Sequence, residues 1–143
     1  MHNQLKANPK SRYYQGNVDP SACKKYVGEG VITYRSSWEK KFIQWLETSS
    51  RVTRWSSENI RIPYWYVDGR EHSYYPDFTA TIDGEDCVIE IKPRSQCTAP
   101  KKPTPYSLDQ WRKNSAKWSA ALEWCRERGL KFKILTEESI GKL

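Results

Sequence analysis

The sequence predicts an α/β (α+β) domain in which one mixed sheet is flanked by helices, with the element order α-β-β-β-α-β. Strands are indicated by residues 59–92, which alternate between polar and apolar side chains and contain two Asp-Gly turn signals. Helical periodicity is found on both sides of this segment, and a last alternating stretch follows the second helix. A chain of 143 residues is long enough for one domain with one modest core.

The composition favours a polyanionic partner such as DNA. Lysine and arginine number 24 against 17 acidic residues, which gives a net charge of +7 and a pI of about 9.2. No apolar run approaches the roughly 20 residues of a membrane span, and residues 1–10 lack the apolar core of a signal peptide. A membrane protein is therefore not expected.

The cysteine pattern argues against a structural zinc site. The four cysteines form no Cys-x-x-Cys pair, and the chain has only two histidines. Cys87 lies on an apolar strand face and Cys125 on an apolar helix stripe. Both are expected to be buried thiols in a reducing compartment.

Residues 1–30 are predicted to form an N-terminal polar arm or an irregular loop, with the folded domain spanning 31–143. The segment is polar and contains prolines and glycines without a sustained period. Lys24-Lys25-Tyr26 within it either touches DNA or belongs to a solvated tail.

The first helix begins after Ser36, which is a good N-cap, and Glu39 follows three residues later as in a capping box. On a helical wheel, however, Glu39 falls inside the apolar arc. A carboxylate that faces the core needs a partner, and a metal site would supply one. Capping and catalysis therefore both remain open for Glu39. The apolar arc contains Trp38, Phe42, Ile43, Trp45 and Leu46, and the opposite side carries Lys40, Lys41, Gln44 and Glu47.

A three-stranded antiparallel meander is predicted next, with turns at Asp68-Gly69 and Asp83-Gly84. Pro63 places the first strand at an edge or a bulge. His72, near the entry of the second strand, is expected at the surface rather than as a ligand. The strands span 59–66, 72–82 and 85–92.

The two-residue loop at Asp83-Gly84 fixes the register of the second hairpin and places Asp77 opposite Glu90, with Cβ atoms roughly 5 Å apart. The two carboxylates would repel each other, and a divalent cation would turn that repulsion into attraction because hard cations take carboxylate oxygens. Lys92 lies on the same face, where it either takes part in the chemistry or only neutralises the carboxylates. The other face is apolar and carries Phe78, Ala80, Ile82, Cys87, Ile89 and Ile91.

A proline-rich loop follows the hairpin and carries three cations that either grip a phosphate backbone or are simply solvated. These are Arg94, Lys101 and Lys102.

Ser107 is predicted to cap a long helix that runs to about Arg128 and is stopped by Gly129. One stripe of this helix is expected in the core. Polar residues on the flank of the stripe either hold substrate or the attacking water, or face solvent. The stripe contains Trp111, Trp118, Leu122 and Cys125, and the flank carries Gln110, Asn114 and Lys117.

A fourth strand is predicted from Leu130, Phe132 and Ile134, which alternate with lysines. After a crossover helix, this strand can pair in parallel with right-handed topology.

Pro76-Asp77, a spacer and Glu90-Ile91-Lys92 resemble the active-site signature of the PD-(D/E)xK nuclease superfamily, whose common core has the predicted element order and a restriction-endonuclease-like fold. Several stretches between about 34 and 135, and Lys24 to Gly28, resemble the T-even-type phage head-completion nuclease family. A more distant similarity links the chain to endonuclease subunits of some cut-and-paste transposons. The stretches are Tyr34 to Glu39, Trp55 to Glu58, Tyr75 to Phe78 and Phe132 to Glu137.

The resemblance implies a DNA endonuclease of a tailed phage that uses Mg²⁺, or Mn²⁺ in its place, and processes packaged DNA ends during head completion. It also implies action in the host cytoplasm during assembly or in the virion, with portal or head-tail connector proteins as further partners. Asp77, Glu90 and the Ile91 carbonyl would hold the ion. Glu39 would orient a metal-bound water or bind a second ion, and Lys92 would orient the water or stabilise developing charge.

Two alternatives remain. The first is a non-catalytic virion protein that binds DNA ends or the portal. The second is a transposon or repair endonuclease of the same fold, which differs in partners rather than in chemistry. The intact set of Glu39, Asp77, Glu90 and Lys92 argues against the non-catalytic alternative, because a degenerate scaffold has no need of all four.

Overall fold

The computed structural model describes residues 16–143, which form eight strands, three helices and two short 3₁₀ turns. The helices are α1 (Ser37–Thr48), α2 (Pro105–Glu127) and α3 (Glu137–Gly141). The strands are β1 (Gly16–Val18), β2 (Ile32–Tyr34), β3 (Val52–Ser57), β4 (Ile62–Trp65), β5 (Glu71–Tyr74), β6 (Phe78–Ile82), β7 (Glu85–Ile91) and β8 (Lys131–Leu135). The 3₁₀ turns span Pro20–Ala22 and Arg94–Gln96.

The central sheet has the strand order β3-β6-β7-β8. The first three strands are antiparallel neighbours, and β8 runs parallel to β7 after the crossover through α2. This mixed sheet with flanking helices confirms the predicted fold class. The predicted parallel fourth strand is also confirmed.

The hairpin between β6 and β7 is confirmed in its turn and its register. Asp83 and Gly84 both have positive φ, at 52° and 79°, as a tight two-residue hairpin loop requires. Ile82 pairs with Glu85, as predicted from the loop length. The alternation then places one face of both strands in the core.

The first predicted hairpin, with its turn at Asp68-Gly69, is confirmed as β4 and β5, but the predicted continuous meander over 59–92 is wrong, because this hairpin does not join the central sheet and the second strand is shorter than predicted. Strand β6 pairs with β3 rather than with residues 59–66, and the predicted strand 72–82 is broken between Tyr74 and Phe78. Pro76 lies in this break, where it cannot donate to a ladder. Strands β4 and β5 form a separate hairpin. The order α-β-β-β-α-β still describes the central sheet, because this hairpin is inserted between β3 and β6.

Strand β3 was not predicted from the sequence, because its buried and exposed side chains do not alternate regularly. The pairing of β3 with β6 shifts register between Val52 and Arg54. Such an irregularity moves side chains out of strict inward and outward alternation. The period-2 signal is therefore weak in this stretch.

Two apolar clusters cover the two faces of the central sheet. One packs the apolar face of the β6-β7 hairpin against α1, with help from β2, β3 and α3. The other joins α2 to the β4-β5 hairpin and to Phe132 of β8. The β4-β5 hairpin, which is not part of the central sheet, therefore packs against α2.

Helix α1 begins as predicted, with the Ser36 hydroxyl accepting from the main-chain NH of Glu39 at 3.1 Å. Its apolar arc is directed at the core, where Phe42, Ile43 and Leu46 are buried. The placement of Glu47 on the solvated side is wrong. Its carboxylate accepts from Trp55 Nε1 at 2.6 Å and from two main-chain NH groups of the N-terminal segment, at Lys24 and Lys25.

The predicted irregular arm is wrong for part of the described residues. Gly16–Val18 form β1 and pair with β2, and Tyr26 forms an isolated parallel bridge with Trp55 of β3. The rest of the arm, residues 1–15, lies outside the described residues. The domain boundary at residue 30 stays a prediction.

Helix α2 begins earlier than predicted. Thr104 is its N-cap, and Ser107 is the reciprocal member of a capping box. Gly129 has a φ of 70°, which suits the predicted helix stop. The assignment of Leu122 to the core is wrong, because its side chain is 59% exposed. Ala121 and Cys125 are the buried residues of this helix.

Two smaller expectations can be compared with the described residues. Cys87 and Cys125 are buried free thiols, as predicted. Within residues 16–143 no helix combines the length and the apolar character that a membrane crossing requires.

Candidate active site

The four predicted site residues come from three places in the fold. Glu39 lies in the first turn of α1, and Asp77 lies in the break between β5 and β6. Glu90 stands near the end of β7, and Lys92 follows that strand directly. Hydrogen bonds and charge interactions connect these positions.

Asp77 and Glu90 are held by neighbouring groups at the end of the hairpin. The Asp77 carboxylate accepts from the main-chain NH of Ile91 at 2.8 Å. The Glu90 carboxylate accepts from the Tyr74 hydroxyl at 2.8 Å, and Glu90 is only 7% exposed. The strand ladder ends at Phe78 and Ile89, one pair before the predicted Asp77–Glu90 pair.

Burial disfavours ionisation of both carboxyl groups, and the charge of Glu90 adds to this effect at Asp77. Burial and then the charge of Glu90 raise the pKa of Asp77 to about 7, although the Ile91 NH opposes this. Burial also raises the pKa of Glu90, against the hydrogen bond from Tyr74 and the charge of Lys92. Full ionisation of both groups at neutral pH is therefore opposed, and a further cation beside them would favour it.

Glu39 belongs to the same electrostatic cluster. Burial and then the charge of Asp77 raise the pKa of Glu39 to about 7. Its carboxylate accepts from the main-chain NH of Arg35 at 3.1 Å. Glu39 therefore takes part in the cap and interacts electrostatically with Asp77 at the same time, and its catalytic role stays a prediction.

The ion pair between Arg35 and Glu58 is linked to Glu39 and Asp77 by main-chain hydrogen bonds. The Arg35 guanidinium pairs with the Glu58 carboxylate, and the Glu58 NH donates to the Asp77 carbonyl at 3.0 Å. Glu58 has a φ of 49°, in the left-handed region that few non-glycine residues occupy. Backbone strain of this kind is found where the surrounding structure fixes a site.

Two lysines provide positive charge on the α2 side. Lys92 Nζ lies 3.8 Å from the Glu90 carboxylate, and its side chain is 24% exposed. Lys117 Nζ lies 5.8 Å from the ring centroid of Tyr74. Burial and the charge of Lys92 lower the pKa of Lys117, and the charge of Glu90 opposes that shift. The predicted flank of α2 thus faces the site.

The other predicted contacts divide into two groups. Gln110 and Asn114 line a cavity together with Lys92. Arg94 is already paired, because its guanidinium lies 2.5 Å from the Glu138 carboxylate and its main-chain NH donates to the Glu137 carboxylate. Both remaining cations of the loop are exposed, at Lys101 and Lys102.

Residues 49–137 match the family model described as TnsA-like endonuclease N terminal. The matched segment contains Asp77, Glu90 and Lys92. The chain is also 35% identical to the head completion nuclease of Enterobacteria phage T4, over 91% of this chain and 95% of that relative. The chain belongs to the TnsA-like endonuclease family. The similarity to the phage protein confirms the resemblance to head-completion nucleases that the sequence motifs indicated.

The donor set of this candidate site suits a hard divalent cation. The carboxyl groups of Asp77 and Glu90, both with raised pKa values, lie at one end of the sheet, and the Ile91 carbonyl is a further oxygen next to Glu90. Among residues 16–143, no three His, Cys, Asp or Glu side chains form a ready cluster of metal ligands. An ion there would therefore rely on Asp77, Glu90, main-chain oxygen and water.

Three residues of the candidate site received no role from the sequence. These are Tyr74, Arg35 and Glu58. All three lie in or beside the stretches that resembled the phage family, which was the available signal. Their roles depend on contacts between residues 16 to 23 positions apart in the chain, such as Tyr74 with Glu90 and Arg35 with Glu58, and no local pattern reveals such contacts.

Proposed function

We propose that this chain is a metal-dependent endodeoxyribonuclease that processes packaged DNA ends during head completion of a tailed phage. The observation that carries the proposal is the half-buried carboxyl group of Asp77 beside the buried carboxyl group of Glu90, with the Lys92 ammonium 3.8 Å from Glu90. Removing two neighbouring carboxyl groups from water is destabilising by itself. The presence of this pair beside a lysine is explained by a bound cation and the chemistry that the cation supports.

Mg²⁺ held by Asp77, Glu90 and the Ile91 carbonyl would polarise the scissile phosphate and lower the pKa of a bound water. Lys92 cannot ligate a cation, because its ammonium has only donors. Its charge instead stabilises the negative charge that develops on the phosphate oxygens. The partial exposure of Lys92 leaves its ammonium accessible to DNA.

Glu39 is the candidate for a proton acceptor or a water-orienting group. A carboxyl group with a pKa of about 7 exchanges its proton readily at neutral pH. The hydrogen bond from the Arg35 NH fixes one carboxylate oxygen. The charge of Asp77 also acts on the Glu39 carboxyl group, and an attacking water would be held between the two.

DNA is the expected substrate, and its backbone would be held by charge. The chain carries a net charge of +7. Lys101 and Lys102 are exposed on the loop that follows Lys92 and precedes α2. This loop would contact phosphates next to the scissile bond without reading sequence. Portal or head-tail connector proteins are proposed as further partners in the assembling head.

The phage relative supports this assignment over the two alternatives. Its similarity extends across 91% of the chain and 95% of its own length, so it includes α1 with Glu39 as well as the hairpin. A transposon or repair endonuclease would share the chemistry but not this full-length similarity to a head completion nuclease. A non-catalytic virion protein would not need this carboxyl pair.

The test is a cleavage assay on supercoiled, linear and branched DNA in Mg²⁺, Mn²⁺ or EDTA. The proposal expects cleavage with either metal and none in EDTA. Asp77→Asn and Glu90→Gln are expected to abolish both cleavage and Mn²⁺ binding measured by calorimetry, while the melting transition persists. Asp86→Asn is the matched control, because Asp86 is an exposed acid on the same hairpin.

Parental cleavage rates in both Asp77→Asn and Glu90→Gln would place the active site elsewhere. A parent protein that binds DNA but cleaves none of the three forms would favour the non-catalytic virion protein.

A further inference from the structure

A cavity of about 470 Å³ opens next to the candidate active site. It lies between Lys92, the proline-rich loop and the first turns of α2. Its volume is within the range of pockets that bind one small molecule or one group of a larger ligand. Lys92 is shared between this cavity and the carboxyl cluster, so the cavity begins where the scissile phosphate would lie.

The lining of the cavity is neutral apart from Lys92. It contains the amides Gln96, Gln110 and Asn114, and the other lining residues are hydroxyl-bearing, aromatic or proline side chains. Each amide has one acceptor oxygen and two donor hydrogens. No carboxylate lines the cavity. This chemistry suits an uncharged ligand that offers both donors and acceptors.

Aromatic side chains add flat apolar surface to the same cavity. Trp111 lines it and is held edge-on by Trp118, with 6.4 Å between ring centroids. Tyr106 also lines it and is 74% exposed. Aromatic faces of this kind stack on nucleobases in proteins that bind single-stranded nucleic acid.

We propose that this cavity receives one unpaired nucleobase from the nucleotide next to the scissile phosphate. The inference rests on the proposed nuclease function and names its substrate class: DNA in which that nucleotide is unpaired, as at a frayed end, an overhang or a flap. Trp111 stacks on the base, and Gln110 and Asn114 bond its polar edge. A paired base cannot enter, because its polar edge is already occupied by its partner strand.

The test measures DNA binding in EDTA, where no cleavage is needed. Fluorescence anisotropy gives the affinity for three duplexes that differ only at one end: a fully paired end, a one-nucleotide overhang, and the same overhang with an abasic nucleotide. The abasic duplex keeps the phosphate and removes only the base. The parent is expected to bind the overhang with a base more tightly than the other two.

Trp111→Ala is expected to weaken binding of the overhang by roughly 5- to 150-fold, the usual contribution of one base stacked on an aromatic ring to affinity. Binding of the abasic and the paired duplexes should stay unchanged. Trp111→Phe keeps an aromatic face and should restore most of the loss. Gln110→Ala should act in the same direction with a smaller effect. Leu122→Ala is the control, because Leu122 is exposed on the same helix outside the cavity.

Equal affinity of the parent for the overhang with a base and the abasic overhang would overturn the proposal that the cavity binds a base. If Trp111→Ala fails to fold, an unchanged overhang affinity in Gln110→Ala would also overturn the proposal, since the amide would then make no contact with the base. A parent that shows the base-dependent affinity but cleaves nothing in Mn²⁺ contradicts the nuclease function alone. A parent that cleaves every duplex at one rate and ignores the base contradicts the pocket alone.

Discussion

The Tyr74 hydroxyl donates to the Glu90 carboxylate at 2.8 Å, and both side chains are buried. The bond connects the β4-β5 hairpin to the end of β7, so the inserted hairpin orients a residue of the central sheet. Burial and the adjacent Glu90 charge raise the pKa of Tyr74, which keeps the phenol protonated as a donor. Tyr74 is therefore a positioning residue for the proposed metal ligand.

Tyr74→Phe removes this donor and keeps the ring. Partners that orient metal ligands commonly contribute 10- to 100-fold in metal affinity or activity. We expect Mn²⁺ affinity and cleavage to fall by about that factor while the protein stays folded. Isothermal calorimetry and a cleavage assay on the same sample measure both.

Tyr66→Phe is the matched control for this change. The Tyr66 hydroxyl donates to the Asp109 carboxylate at 2.6 Å, away from the four site residues. Its loss should affect stability without affecting Mn²⁺ affinity. If both phenylalanine variants bind Mn²⁺ as the parent does, Tyr74 has no positioning role.

Glu39 combines a cap contact with a charge in the site, and Glu39→Gln separates them. Glutamine can still accept from the Arg35 NH, but it cannot take up a proton or hold a cation by charge. We expect a large loss of cleavage with less than about 1 kcal/mol change in the free energy of unfolding, the scale of a cap. Ser36→Ala should show the reverse pattern. A destabilised but fully active Glu39→Gln protein would leave only the capping role.

The raised carboxyl pKa values make the stability of the metal-free protein depend on pH. The pKa of Glu39 rises from 4.5 to about 7, and that of Asp77 from 3.8 to about 7. The folded state thus binds protons that the unfolded state releases, so stability falls as pH rises from about 4 to about 7 and then levels off. Melting curves in EDTA check this. Asp77→Asn should flatten the slope, and a parental slope in that variant would contradict the shift.

Sequence-independent phosphate contacts should appear in the salt dependence of DNA binding. Each phosphate contact adds roughly 0.9 to the log–log slope on duplex DNA. Replacing both Lys101 and Lys102 by alanine should lower the slope by up to about twice that amount. Arg94→Ala should change it less, since Arg94 is already paired with Glu138. An unchanged slope in the double lysine variant would exclude the loop from DNA contact.

The β6-β7 hairpin could be predicted because its signals are local. Asp83-Gly84 fixes a two-residue turn, and the register then assigns each side chain of β6 and β7 to one of the two sheet faces. The same counting predicts that Asp77 lies near Glu90, one pair beyond the end of the observed ladder. The position of Glu39 in the apolar arc of α1 was equally readable from a helical wheel.

The remaining features depend on long-range packing that local patterns do not encode. Ser107 and Thr104 are both good capping residues, and only the structure shows which of them is the N-cap. Small residues of α2 allow close approach to the β4-β5 hairpin, so Ala121 is buried and Leu122 turns outward. The irregular pairing of β3 hid a strand of the central sheet.

Lys92→Met tests whether Glu39, Asp77, Glu90 and Lys92 together hydrolyse DNA. Methionine keeps an unbranched apolar side chain and removes the charge. The variant should bind Mn²⁺ and DNA nearly as the parent does, because an ammonium is not a metal ligand.

The decisive measurement is the single-turnover cleavage rate of Lys92→Met at saturating Mn²⁺, with its melting temperature recorded on the same sample. We expect a folded protein whose rate is roughly 100- to 1000-fold below that of the parent, the usual contribution of one such electrostatic group. A parental rate, or loss of folding without a specific defect in cleavage, would contradict the account.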